Sequence, residues 1–165
     1  MVKKPNGKWR FCTDYRKLNR VTIKDVYPLP RIDDMMDVLA NARYFSTIDL
    51  TSGYWQVELE EESKPLSAFT TPDGGLYEYN TMAFGLTNAP ATFQRMMDTI
   101  LAGLKWEICL VYLDDIIVFS KTFKEHVDRL KLVFGAIRKA RLKLQSKKWL
   151  HVLLSQVHQK FLHSR

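Results

Sequence analysis

The chain has 165 residues, of which 46% are hydrophobic and 26% charged, and it carries a formal net charge of +7. This length and composition suit one globular domain and exclude a disordered tail or a fibrous repeat. The sequence contains no run of about eighteen apolar residues, so it does not predict a membrane span. The start also lacks the apolar stretch of a signal peptide, so we expect a cytoplasmic or nuclear protein without a membrane partner.

Charge is distributed unevenly along the chain. Residues 1–31 carry nine basic and two acidic side chains, residues 32–120 four basic and fourteen acidic, and residues 121–165 twelve basic and two acidic. An acidic middle between basic ends fits cations bound at the centre and a polyanion bound at the edges. A solvated surface of uneven composition explains the same pattern equally well.

The first third of the chain predicts a strand, a connector and a helix. The alternating segment 9–15 follows a turn at residues 5–7 and is typical of a hairpin strand. Prolines at 28 and 30 make segment 26–30 an extended connector. Asp33 and Asp34 then open a short helix. Its apolar side consists of Met35, Met36, Leu39 and Ala42.

The middle of the chain predicts strands around acidic loops and then a helix. Segment 43–50 is a strand that ends near an acid, Asp49, and residues 58–62 form an acidic loop. Residues 72–75 form a turn between two strands. Asn88 begins a helix as its capping residue. The apolar stripe of that helix is Phe93, Met96, Met97, Ile100, Leu101 and Leu104.

A nearly continuous apolar run follows at residues 108–119. It is interrupted only by Asp114 and Asp115, which predicts two buried strands joined by an acidic turn. Thr122 with Glu125 three residues later is a capping box that begins a long helix. Its apolar positions, up to about Arg141, are Val127, Leu130, Phe134 and Ile137. The order of elements predicts an α+β fold in which helices pack against an antiparallel sheet.

The chain contains two cysteines. Cys12 and Cys109 lie far apart in a chain without a secretory signal. We therefore predict two buried, reduced thiols rather than a disulfide.

The acidic pair carries the main functional signal. Asp114 and Asp115 repel each other at the rim of a hydrophobic hairpin, and a divalent cation such as Mg²⁺, which prefers oxygen ligands, compensates that repulsion. If the strand ending in Asp49 pairs with this hairpin, three carboxylates converge. Such a set holds two metal ions roughly 4 Å apart for in-line phosphoryl displacement. An ordinary surface turn is the alternative, and the spacing alone leaves both open.

Four segments resemble the conserved motifs of reverse transcriptases, in order and spacing. Tyr112-Leu113-Asp114-Asp115 resembles the signature motif of these enzymes, and segment 9–19 resembles their fingers motif. Segment 45–54 resembles the first palm motif, and segment 84–94 resembles the start of the palm helix. The wording of the motifs is most similar to pol polyproteins of gypsy-like LTR retrotransposons, over about residues 2–148.

The resemblance implies a catalytic centre. Asp49, Asp114 and Asp115 would be the metal-binding catalytic acids of an RNA-directed DNA polymerase that uses two Mg²⁺ ions, with Mn²⁺ as an alternative. Such an enzyme transfers a nucleotide from a dNTP to the 3′-hydroxyl of a DNA primer on an RNA or DNA template. One ion would lower the pKa of that hydroxyl, and the other would hold the triphosphate.

The resemblance also implies nucleotide-binding residues. Lys3 and Arg10 match fingers positions that contact the incoming triphosphate, and solvated surface charges are the alternative for both. Tyr54 matches the bulky side chain that excludes a ribose 2′-hydroxyl; an aromatic core residue is its alternative. Leu113 matches the variable residue that touches the primer end or the nucleotide. Phe84 stands where retroviral enzymes carry a polar residue, so no polar sugar contact is expected from it.

In domain terms, the resemblance implies partial fingers and a palm at residues 1–148, followed by an atypical C-terminal tail at residues 149–165. The thumb, connection and RNase H regions of pol are not in this sequence, so a thumbless reverse-transcriptase palm with partial fingers is expected. The basic residues 1–31 would face the template, whereas those from Lys124 to Lys148 are expected to form a solvated outer face. A catalytically silent retroelement remnant that at most binds nucleic acid is the alternative function.

Overall fold

A computed structural model of the chain describes residues 2–3, 7, 9–113, 115–145 and 150–151. The strands are β1 (Val2–Lys3), β2 (Trp9–Arg10), β3 (Tyr44–Asp49), β4 (Phe69–Thr70), β5 (Leu76–Tyr77), β6 (Cys109–Tyr112), β7 (Asp115–Ser120) and β8 (Leu150–His151). The helices are α1 (Arg16–Val21), α2 (Ile32–Leu39), α3 (Ala89–Ile100) and α4 (Phe123–Lys139), and three 3₁₀ helices lie at Gly53–Gln56, Glu61–Ser63 and Pro65–Ser67.

The chain divides into two compact units. Unit one consists of Met1–Val26 and Ser52–Thr92, and unit two consists of Tyr27–Thr51 and Phe93–Arg165. Unit one therefore contains the two-stranded hairpins and unit two contains the larger sheet.

Unit one contains two antiparallel hairpins. β1 pairs with β2, which confirms the predicted hairpin, and β4 pairs with β5 across the predicted turn at 72–75. The strand predicted over 9–15 was too long, because β2 ends at Arg10 and α1 begins at Arg16. The sequence did not predict α1 because this six-residue helix buries none of its residues and therefore has no apolar stripe.

Helix α3 begins at Ala89, as its flanking asparagine predicted. The capping side chain predicted for Asn88 is not what the structure shows, because that side chain binds the segment before α2. Its oxygen accepts a hydrogen bond from the Asp25 N–H at 3.0 Å, and its amide donates to the Ile23 carbonyl at 2.9 Å. Segment 22–31 has no regular secondary structure, which confirms the predicted connector.

Unit two contains a four-stranded sheet in the order β6-β7-β3-β8. Each neighbouring pair is antiparallel, and β3 and β7 pair along their whole length from Tyr44 opposite Ser120 to Asp49 opposite Asp115. Both strands are almost continuously buried, so the sequence shows apolar runs rather than strict alternation. The predicted strands 43–50 and 108–119 are thereby confirmed.

Helices cover this sheet. From α2, Met35 and Leu39 pack in one cluster with side chains of β3, β6 and β7, the other members being Phe45, Leu110, Ile117 and Phe119. Helix α4 packs against β7 and β3. This arrangement confirms the predicted α+β fold. In the part of the chain that the structure describes, no helix is long and apolar enough to cross a membrane.

A buried histidine explains why the buried face of α4 differs from the predicted stripe. The capping box of Thr122 and Glu125 is confirmed, but the fully buried positions include His126 rather than Val127. The Ser120 hydroxyl donates to the Thr122 carbonyl, so its oxygen accepts the Nδ1–H of His126 at 3.1 Å. His126 Nε2 then accepts from the Ser46 hydroxyl at 2.8 Å. Satisfied hydrogen bonds therefore allow a polar side chain to occupy the core.

Candidate active site

Two carboxylates lie opposite each other at one end of the sheet of unit two. In the pairing of β3 with β7, the last pair is Asp49 opposite Asp115, immediately after Ile48 opposite Ile116. Directly opposed residues of antiparallel strands have Cβ atoms about 4.5–5.5 Å apart. The isoleucines are buried and the aspartates only half-buried, so both acids lie where the buried part of the sheet ends.

The third predicted acid, Asp114, lies outside the described residues. Tyr112 pairs with Asp115, so β7 begins at Asp115 and the chain reverses before it. The predicted acidic turn of Asp114 and Asp115 was therefore wrong by one position, because Asp115 belongs to the strand. Pairing within β3–β7 holds Asp115 in that strand, since its partner there is Asp49.

The residue that starts the reversal, Leu113, has a backbone φ of +53°. A left-handed conformation costs an L-residue with a Cβ roughly 1–2 kcal/mol and is normally taken by Gly, Asn or Asp. Residues held in such conformations persist only where their surroundings impose them, and they cluster at functional sites. The Leu113 side chain is half-buried.

A buried glutamine of α3 contacts this turn. Gln94 is fully buried, and its side-chain oxygen accepts a hydrogen bond from the Leu113 N–H at 3.2 Å. Its side-chain nitrogen lies 3.4 Å from the Val111 carbonyl, near the end of β6. The sequence pattern by itself did not indicate a role for Gln94. The available signal was its position beside Phe93, three residues before the buried Met97, which places a polar residue on the buried side of the helix.

The electrostatics of the acidic pair follow from its neighbours. Like charges directly opposite each other across two strands destabilise a sheet. The pair before the two aspartates, Ile48 opposite Ile116, has only hydrocarbon side chains. Asp49 also accepts a backbone hydrogen bond at its carbonyl, from the Gln145 N–H at 2.9 Å, which holds the end of β3. Oxygen ligands in this arrangement suit a hard divalent cation. Among the described residues, no group of three His, Cys, Asp or Glu side chains is close enough to hold a metal ion.

The predicted nucleotide-binding residues Lys3, Arg10 and Tyr54 belong to unit one. Lys3 lies opposite Trp9 and Arg10 opposite Val2, so the β1–β2 pairing brings both basic positions into one hairpin. Tyr54 lies in the 3₁₀ helix Gly53–Gln56, a few residues after β3 along the chain.

The ring of Tyr54 packs against an aromatic partner. Its centroid lies 5.1 Å from that of Phe84, and Trp55 approaches the same ring from an edge at 5.8 Å. Phe84 thus packs against the rings of Tyr54 and Trp55. Asp14 and Arg16 bind each other at 2.6 Å on the surface. Hydrogen bonds from Arg16 lower the pKa of Asp14 to about 2.

The two cysteines differ in accessibility. Both thiols are free, and Cys109 is buried as predicted, but Cys12 is only half-buried. The prediction for Cys12 was wrong because it lies just after the two-residue strand β2, in a segment without regular structure. Burial raises the pKa of the Cys109 thiol to about 12.

We therefore expect one fast and one slow thiol. At pH 8 a pKa near 12 leaves Cys109 on the order of 10⁻⁴ thiolate, and burial hinders reagent access as well. Titration with an aromatic disulfide reagent should label Cys12 rapidly and Cys109 only after guanidinium unfolds the chain. Rapid labelling of two thiols in the folded protein would contradict the buried position of Cys109.

A family model and several proteins match this chain. The model described as "Reverse transcriptase (RNA-dependent DNA polymerase)" matches residues 2–162. The retrovirus-related Pol polyprotein from transposon 297 of Drosophila melanogaster is 51% identical over 147 residues, which cover 87% of this chain and 14% of that protein. The polyprotein from transposon opus of the same species is 46% identical over 156 residues, which cover 93% of this chain and 15% of that protein. The chain therefore spans about a seventh of the length of these two relatives.

A shorter relative and solved structures agree with these matches. An RNA-directed DNA polymerase homolog of Oenothera berteroana is 44% identical over 127 residues, which cover 75% of this chain and 89% of that protein. A foamy viral protease-reverse transcriptase in complex with double-stranded DNA has a TM-score of 0.83 and 30% identity over 92% of this chain and 26% of its own. A second structure, in complex with an RNA/DNA hybrid, has a TM-score of 0.77 and 29% identity over 93% of this chain and 20% of its own.

Proposed function

The chain belongs to the reverse transcriptase family, and from that membership we propose that it is the palm and partial fingers of an RNA-directed DNA polymerase. The reaction is transfer of a nucleotide from a dNTP to the 3′-hydroxyl of a DNA primer on an RNA or DNA template. One observation supports this most: Asp49 and Asp115 are cross-strand partners where the buried sheet ends. The pairing of β3 with β7 therefore brings together the carboxylates of two residues that are far apart in the sequence.

The donor set fits divalent cations. Asp49 and Asp115 face each other after a buried pair of isoleucines, and their mutual repulsion is relieved by a cation that takes oxygen ligands. Asp114, the residue before β7, is the third proposed ligand. Two Mg²⁺ ions, or Mn²⁺ in their place, supply Lewis-acid stabilisation and a more acidic 3′-hydroxyl when bound. The protein contributes the paired strands that keep the two carboxylates together before any substrate arrives.

Fingers residues would bind the triphosphate. Arg10 and Lys3 occupy the paired strands of one hairpin in a basic segment, and Arg suits phosphate through its planar set of donors. Leu113, at the start of the reversal, would contact the primer end or the nucleotide.

Tyr54 would exclude a ribose 2′-hydroxyl by steric bulk. Its ring is backed by Phe84 at 5.1 Å, which limits how far it retreats from a ligand. Replacing Tyr54 with alanine should raise the relative kcat/KM for ribonucleotides by about 10²-fold. The measurement is primer extension with each dNTP and its ribonucleotide counterpart.

The matched control for this prediction is Tyr54→Phe, which retains the ring and should retain the discrimination. Unchanged discrimination in Tyr54→Ala would assign the ring to packing against Phe84 alone. Tyr77→Ala, at an exposed tyrosine of β5, reports the effect of removing an aromatic ring elsewhere in unit one.

The charge of the chain and its solved structural neighbours support a nucleic-acid partner. Residues 1–31 carry nine basic side chains, and two solved neighbours are complexes with double-stranded DNA and with an RNA/DNA hybrid. Lys and Arg that neutralise phosphates make binding weaken steeply with salt. We propose that this chain binds a primer–template duplex in the same salt-dependent manner, and that it acts in the cytoplasm or nucleus.

The test is primer extension by the full 165-residue chain. A DNA primer annealed to an RNA template is incubated with dNTPs and Mg²⁺, and with excess chelator in the control. Chelator-sensitive extension supports the proposal. Absence of extension under both Mg²⁺ and Mn²⁺ overturns the catalytic part. If duplex binding is still retained and weakens with salt, the silent, nucleic-acid-binding remnant is then the correct assignment.

A further inference from the structure

We propose that Gln94 is a positioning residue that supports the hairpin of β6 and β7 and so keeps Asp115 opposite Asp49 for metal binding, and that Asp98 fixes the orientation of the Gln94 amide. This inference rests on the proposed function, because metal binding is assigned to the carboxylates of that site. It concerns unit two alone, in which α3 beyond Thr92, β6 and β7 all lie.

The side chain of Gln94 contacts the hairpin of β6 and β7. Gln94 is fully buried on α3, and its side-chain oxygen accepts from the N–H of Leu113 at 3.2 Å. Its nitrogen lies 3.4 Å from the carbonyl oxygen of Val111. One side-chain amide therefore spans Val111, near the end of β6, and Leu113, the residue that begins the reversal. Leu113 has a φ of +53°, which is the conformation that needs such support.

Asp98 fixes the orientation of the Gln94 side-chain amide. The Gln94 nitrogen donates to the Asp98 carboxylate at 2.9 Å, one helical turn away. A carboxylate only accepts hydrogen bonds, so the nitrogen must face Asp98 and the oxygen must face Leu113. Asp98 is itself held by the Lys105 ammonium at 2.6 Å and by the Tyr27 hydroxyl at 2.9 Å. The hydrogen bond to Asp98 raises the pKa of the Tyr27 hydroxyl above its ordinary value.

Strand pairing connects the hairpin of β6 and β7 to the two carboxylates, Asp49 and Asp115. Tyr112 pairs with Asp115 directly across the reversal, and Asp115 pairs with Asp49. A shift of one residue at the reversal would move the side chain of Asp115 to the other face of the sheet. Support of Leu113 therefore maintains the register that brings the two carboxylates together.

Three variants separate the contact of Gln94 with the hairpin from the orientation of its amide. Gln94→Met keeps the length of the side chain and removes its three hydrogen bonds, to Leu113, Val111 and Asp98. Asp98→Asn keeps the volume but lets the facing amide accept or donate, so the orientation of Gln94 is no longer imposed. Thr99→Ala, on the exposed side of the same helix, removes only a hydroxyl bonded to its own helix and serves as the control.

Two measurements are made on the full chain, neither of which requires catalysis. Amide hydrogen exchange followed by NMR gives the protection of the Leu113 N–H, with Val133 of α4 as internal reference. Titration with Mn²⁺ followed by electron paramagnetic resonance gives metal affinity. We expect Gln94→Met to accelerate exchange at Leu113 at least about 10-fold and to weaken Mn²⁺ binding about 10- to 100-fold, the usual effect of lost ligand support. Asp98→Asn should act in the same direction and Thr99→Ala should match the parent.

The outcomes separate this inference from the proposed function. If the parent binds Mn²⁺ and Gln94→Met binds it equally well with unchanged exchange at Leu113, the positioning role is wrong and the function stands. If the parent does not bind Mn²⁺ but Gln94→Met still exposes the Leu113 N–H, the metal site is wrong and the support of the hairpin stands. If Gln94→Met loses protection at Val133 as well, it has unfolded, and Asp98→Asn decides by the same criteria.

Discussion

Replacing Asp115 with asparagine is expected to reduce Mg²⁺-dependent primer extension by about 10³-fold without destabilising the protein. A metal ligand contributes several kcal/mol of transition-state stabilisation, and about 4 kcal/mol corresponds to 10³-fold in rate. Asparagine preserves the shape of the side chain and removes its charge. Because Asp115 faces Asp49 across two strands, removing one charge relieves repulsion, so the free energy of unfolding should stay equal or rise. Primer extension and thermal unfolding are measured on the same preparation.

The control for this variant is Asp128→Asn. Asp128 lies on α4 and pairs with Lys131 at the surface, where such pairs contribute about 0.2–1 kcal/mol. We expect it to retain extension. If Asp115→Asn extends primers like the parent, Asp115 is not a ligand. A large loss of stability would instead indicate that its carboxylate has a structural role in the sheet.

Replacing Leu39 with alanine is expected to produce the opposite profile, a large loss of stability. Leu39 is fully buried on α2 in a cluster with Met35, Phe45 and Ile117. Truncating a buried leucine costs about 2–5 kcal/mol, because hydrocarbon contacts are lost and a cavity remains. In a chain of this size the midpoint of thermal unfolding should fall by roughly 10 °C. Circular dichroism during heating or urea titration gives both quantities.

Leu132→Ala is the matched control, with the same change on a different helix. Leu132 is 56% exposed on α4, so its truncation should change the free energy of unfolding by less than about 0.5 kcal/mol. Equal losses in the two variants would contradict the placement of the core between α2 and the sheet. The Leu39 and Asp115 variants together separate a residue that stabilises the fold from one that performs the chemistry.

Much of the fold was predictable because burial leaves a periodic pattern in the sequence. The apolar runs predicted β3, β6 and β7, and the capping box predicted the start of α4 at the correct residue. α1 was not predictable, since a helix that buries no residue shows no such pattern. The C-terminal region predicted as an atypical tail lies largely outside the described residues, and only β8 within it is described.

Polar residues in the core account for most of the remaining differences. The buried face of α4 includes His126, and α3 buries Gln94, both of which a hydrophobicity pattern assigns to the surface. Their burial depends on partners supplied by distant segments: Ser46 and Ser120 for the histidine, Leu113 for the glutamine. Such hydrogen bonds are tertiary contacts, so no local pattern predicts them.

The sequence by itself determined the family, the identity of the candidate acids and the kind of chemistry they suit, because motif order and residue type are properties of the chain. Only the tertiary structure decided that Asp49 and Asp115 are cross-strand partners, and that β7 begins at Asp115. The reason is that strand register depends on the packing of whole elements. The left-handed conformation of Leu113 likewise occurs beside a tertiary contact, the hydrogen bond from its N–H to the buried amide of Gln94 on α3.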